Sequence, residues 1–114
     1  MDENTVSTTP RPWSPEIPAA DVEAYLLRIR RPATGTLGFF SNHPGRSVSL
    51  EDAGQELQRS PEEIREDIAR ANRHAEARGY APVYQETPEG YTIEPETAGI
   101  LFASLEKLDE EGLP

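Results

Sequence analysis

SPEEIREDIARANRHAEARG, residues 60–79, is the stretch whose reading decides the fold. Ser60 is suited to cap a helix, and Pro61 fits the first helical position, where its missing N–H is no loss. Glu63, three residues after Ser60, completes a capping box, and Gly79 is a natural stop. Ile64, Ile68, Ala71 and Ala75 recur on one face at about 100° per residue, while Glu62, Glu66, Arg70 and Arg73 point the other way. The spacing predicts a helix over residues 60–78.

Immediately upstream, Ser49 caps a second predicted helix from Leu50 to about Gln58. Asp52 stands near its start, and Leu50, Ala53 and Leu57 face inward. A tight turn through Gln58 and Arg59 joins the two helices, which is the geometry of a helix-turn-helix. Gly54 takes the small-residue position of that pattern, and Leu57 and Ile64 take its core positions. Gln58 stands where glycine is usual and Arg59 where an apolar residue is usual, so the turn is free to take another conformation. Downstream, residues 80–85 and 90–93 flank Glu86-Thr87-Pro88-Glu89, a predicted hairpin with a Pro-containing turn. Pro95 opens a last helix over 95–109, with a stripe of Ala98, Leu101, Phe102, Leu105 and Leu108.

Further toward the N-terminus, residues 19–31 read as a helix with Val22, Leu26 and either Tyr25 or Ile29 inward. Arg28, Arg30 and Arg31 gather at its C-terminal end, either as partners of the helix dipole and solvent or as a phosphate-facing patch. Pro32 ends that helix. Residues 33–42 form a short helix weakened by Gly35 and Gly38, with Leu37, Phe40 and Phe39 as core candidates. His43-Pro44-Gly45 is a turn, and Ser47-Val48-Ser49 a short strand. Residues 1–17, rich in Ser, Thr and Pro, read as a disordered tail. Trp13 and Ile17 stand out in it, either packed on the domain or part of a linear motif for a partner. The expected fold class is α+β, mainly α: a winged helix-turn-helix over residues 18–110. It has an extra N-terminal helix, a C-terminal helix and a frayed end at 111–114.

That order resembles winged helix-turn-helix proteins of the MarR-like kind. The run from His43 to Gly79 is also similar to an uncharacterised group of actinobacterial winged-helix domains. Pro44-Gly45-Arg46, Arg73-His74, Tyr84 with Tyr91, and Glu94-Pro95-Glu96 carry that resemblance, which covers residues 33–108. It implies a DNA-binding, transcription-regulator-like function and a homodimer built on terminal helices.

Charge bears on that function. The 114 residues carry a formal charge of −10. The segment from Tyr80 onward supplies −7 through eight acids against Lys107, leaving −3 on the first 79 residues. Strong global attraction to DNA is therefore excluded, but a local basic surface is not. The candidate DNA-contacting residues are Arg46, Glu66, Arg70, Arg73, His74 and Arg78. A continuous positive strip through Arg46, Arg70, Arg73 and Arg78 favours DNA, and an interrupted one favours a protein partner. The N-terminal half of the central helix is acidic (Glu62, Glu63, Glu66, Asp67), as is the hairpin tip (Glu86, Glu89). Glu66 and Arg70 also have the order that lets them pair with each other. The alternative is therefore a winged-helix protein-interaction module with an acidic surface, DNA mimicry included.

Enzyme chemistry is not expected. His43 and His74 are the only histidines and no cysteine is present, too few donors for a metal cluster. No phosphate-cradling glycine loop or nucleophile elbow occurs, and no cofactor is implied. No apolar run is long enough for a membrane span and no secretory leader pattern occurs, so the expected location is cytoplasmic, without a membrane partner. Leu105 and Leu108, at the far end of the last stripe, are expected either to meet a second copy or to be covered by helix 19–31.

Overall fold

The computed structural model describes residues 9–111. The described residues form five helices, α1 (Ala19–Ile29), α2 (Ala33–Ser41), α3 (Leu50–Leu57), α4 (Pro61–Ala77) and α5 (Pro95–Glu110), and a small antiparallel hairpin of β1 (Gln85–Thr87) and β2 (Gly90–Thr92) between α4 and α5 in the chain. The fold is mainly helical α+β. The cap signals act as read: Ser60 Oγ accepts from Glu63 N while Glu63 Oε1 accepts from Ser60 N, and Ser49 Oγ accepts from Asp52 N. The short α2 is the hub, packing against each of the other four helices. Leu37 and Phe40 on α2, Tyr25, Leu26 and Ile29 on α1, Ile64 and Ala71 on α4, and Leu101 on α5 are almost completely buried.

The α3–α4 turn keeps a left-handed residue without glycine. Gln58 takes φ 58° and ψ 47°, and its N–H returns to the Gly54 carbonyl. Gly54 is required by contact: a Cβ there would lie 2.4 Å from the Arg59 carbonyl oxygen. Arg59, at the position where an apolar side chain was expected, reaches the carboxylate of Asp67, which also accepts from Thr36 Oγ1 at 2.6 Å. Asp67 is therefore not part of an exposed acidic face; it is 5% exposed and joins α2, the turn and α4.

Three boundaries differ from the sequence reading by more than one residue. Helix α1 ends at Ile29, before Pro32, because Arg30 turns to φ 62°. The first strand starts at Gln85, not Tyr80. Asn72 Oδ1 accepts from the N–H groups of Val83 and Tyr84, and Asn72 Nδ2 donates to the Tyr84 carbonyl, which takes that backbone out of the ladder. The proposed strand at 47–49 is reduced to Val48, which exchanges two backbone bonds with Tyr91. Gly90 permits this approach, since a Cβ there would lie 2.2 Å from the Val48 carbonyl oxygen.

The largest correction concerns the tail. Trp13 and Ile17 are buried, so the domain begins well before residue 18. Trp13 packs against Tyr25 and Tyr80 with ring centroids 5.2 and 4.9 Å away, and its Nε1–H donates to the Ala81 carbonyl at 2.8 Å. Arg11 beside it forms a parallel bridge with the chain at Gly79–Ala81. The remainder of the expected tail, residues 1–8, and the end at 112–114 lie outside the described residues. Leu105 and Leu108 are buried within the chain itself. Helices α1 and α2 cover α5, and Lys107 Nζ donates to Glu23 Oε2 at 2.9 Å, so these two leucines are core and give no exposed dimer stripe.

Candidate nucleic-acid interface

The site grows from the end of α1. A helix leaves its last carbonyls without partners, and the early stop at Arg30 leaves that of Ile29 open to the side. Arg70, on the α4 flank facing α1, donates from Nε to this carbonyl at 2.7 Å. The expected Glu66–Arg70 ion pair is thus replaced by a backbone cap. Glu66 stays exposed, and the ion pairs formed among the described residues are Arg59–Asp67, Arg59–Glu63 and Lys107–Glu23. Capping fixes the Arg70 guanidinium at the mouth of a cleft of about 460 Å³ lined by Leu27, Arg28, Arg30, Arg70 and His74. Its lining includes no carboxylate among the described residues.

His74 reports on the field in that cleft. Its pKa lies below the ordinary value, first because partial burial disfavours the imidazolium, then because Arg70, Arg73 and Arg28 repel a further positive charge. Three guanidinium groups and an imidazole in a lining without a carboxylate are donors of the kind that can hold an anion.

The sequence candidates separate into groups. Arg70 and His74 share the cleft, Arg73 lies next to it on the exposed ridge of α4, and Arg78 is the exposed C-cap one turn after His74. Arg46 is elsewhere, in a cleft with His43, Asp52 and Glu56. The four-arginine strip that would favour DNA is therefore interrupted at Arg46, the outcome that favours a protein partner, while Arg28 and Arg30 lie with Arg70 and His74 at its other end. Arg28 and Arg30 were legible as a helix-end cluster, with a phosphate-facing patch as one of its two readings, but nothing local places α4 beside them. The structural role of Asn72 carried no sequence signal. The acidic residues Glu62, Glu66, Glu86 and Glu89 are exposed as expected. No helix among the described residues is long and apolar enough to cross a membrane.

Comparison with protein families, with curated proteins and with solved structures found no match.

Proposed function

We propose that this chain is a cytoplasmic winged helix-turn-helix protein of the DNA-binding, transcription-regulator-like kind, related in architecture to MarR-like proteins. It would hold the nucleic-acid backbone in the α1–α4 arginine cleft. The observation that carries this reading is the convergence of Arg28, Arg30, Arg70 and His74, with Arg73 adjoining, on a chain whose net charge is −10. Such clustering places the cations where they act together, in spite of the global charge. Phosphate contacts of this type position a protein without reading sequence. With Glu62 and Glu66 on the outer ridge of α4 and Glu89 at the hairpin turn, base reading by the N-terminal half of α4 is disfavoured. The contact is therefore mainly to the backbone.

Binding of a fluorescent DNA duplex at about 50 and 200 mM salt tests this. Affinity should fall steeply with salt, and the double change Arg28→Ala with Arg30→Ala should reduce the log–log slope by about 2. Absence of binding at the lower salt ends the DNA reading. The second reading, a winged-helix protein-interaction module, then takes its place. It is favoured by the interruption of the strip at Arg46 and by the exposed carboxylates of the hairpin and α4, which suit a basic partner.

A further inference from the structure

A second cavity, which shares no lining residue with the arginine cleft, lies between α2, the α3–α4 turn and α5. It is a groove of about 520 Å³ lined mainly by Pro32, Gly35, Gly38, Leu57, Phe102 and Leu105. Phe102 is 36% exposed there, although the rest of its stripe is buried or small. The volume falls in the range of small-molecule sites, and the lining combines an apolar floor with Thr34, Thr36 and four charged residues.

Two glycines in the short α2 keep the groove open. A Cβ at Gly35 would meet nothing within 4 Å, and one at Gly38 would meet only Leu105 Cδ1, at 3.9 Å. Neither glycine has a positive φ, so neither backbone conformation nor close packing requires it. Glycine weakens a helix, and here the gain from it is empty space above an apolar floor.

The charges at the rim choose among ligands. Arg59 is already neutralised by Asp67, with Glu63 nearby. Arg31 stands exposed at the α1–α2 connection, while Glu106 and Asp109, one turn apart on α5, are both exposed and line the same groove. Carboxylates therefore outnumber uncommitted cations at the mouth.

We propose that this groove binds an amphiphilic organic cation, its apolar body over Leu57, Phe102 and Leu105 and its ammonium group at Glu106 and Asp109. Leu57 ends α3 and Arg59 lies in the turn that follows, so a bound ligand touches the junction that sets α4 relative to α3. The assignment is independent of nucleic-acid binding.

The test is a matched trio of naphthalene probes, 1-naphthylmethylammonium, 1-naphthylmethanol and 1-naphthylacetate, titrated into the full chain with amide shifts followed by NMR. The cation should bind about fivefold more tightly than the neutral probe and the anion least. Shifts should centre on Gly38, Leu57 and Leu105. The double change Glu106→Gln with Asp109→Asn should remove the preference for the cation while leaving neutral binding unchanged. Gly35→Leu should block all three probes. Equal binding of the trio, tightest binding of the anion, or no shift at the groove at millimolar probe would each overturn the proposal, and the unmodified chain alone decides those outcomes.

Discussion

Replacing Arg59 by methionine tests the internal organisation of the α3–α4 pair most directly. Asp67 is 5% exposed and accepts from two side chains, Arg59 and Thr36. Losing the guanidinium leaves a carboxylate out of water with one neutral hydroxyl as partner. Breaking a buried pair from one side costs about 3–5 kcal/mol. The Arg59 side chain is 21% exposed, so water can enter the vacated space, and the lower figure of about 3 kcal/mol applies. Asp67→Leu alone strands a guanidinium nearer to water and leaves the Thr36 hydroxyl without its acceptor, at a cost of about 1–2 kcal/mol. The double variant removes both charges and should fall within about 1 kcal/mol of the parent, giving a coupling energy of about 3 kcal/mol or more in size. Urea unfolding followed through Trp13 suits the measurement, because this single tryptophan is buried between Tyr25 and Tyr80. A loss under about 0.5 kcal/mol for Arg59→Met, or additive single changes, would refute the reasoning.

Leu105→Glu should unfold the chain or destabilise it severely, and Leu105→Ala should cost about 2–4 kcal/mol; a folded Leu105→Glu monomer would contradict the placement of Leu105 in the core. Gly35→Ala should stabilise the chain by about 0.5–1 kcal/mol, because its Cβ meets nothing within 4 Å; a lower urea midpoint would mean that α2 needs the glycine after all. His74 should titrate below its ordinary value of 6.5 by NMR. Between that depressed value and 6.5 the unfolded chain binds the proton more readily, so this residue's contribution is full above pH 6.5, declines as pH falls through the window and is constant below it. Arg28→Ala should move the His74 midpoint upward, and an unchanged midpoint would remove Arg28 from its surroundings.

Helix existence was legible because it rests on local rules. The capping box at Ser60 and Glu63, the Ser49 cap and the apolar face of α4 need only neighbours a few residues away. Asp67 shows where such rules stop. It lies at the edge of the apolar face, and its partners are eight and thirty-one residues distant, so helical periodicity alone cannot separate it from the exposed acids. Arg70 is similar: the favourable spacing to Glu66 is real, but the Ile29 carbonyl, forty-one residues away, holds its Nε. The basic cleft was half visible for the same reason. Arg70, Arg73 and His74 were named from α4 alone, and Arg28 and Arg30 joined them only when α1 was set alongside. At the N-terminus, composition misled about the segment as a whole, although Trp13 and Ile17 stood out in it and packing on the domain was one of their two readings.

The seat of Trp13 also places an order on events in time. Its hydrogen-bond partner, Ala81, lies 68 residues further along the chain, and the backbone that Arg11 grips, at Gly79 and Ala81, belongs to the same late segment. Contacts this distant in sequence close late, since the intervening loop must first be gathered. During synthesis Trp13 is made early, yet its pocket is complete only after α4 has formed and the segment beyond Gly79 has been added. Until then a large aromatic surface waits in water. When it docks, it fastens an early segment of the chain across a late one, like a latch thrown after the other parts are in place.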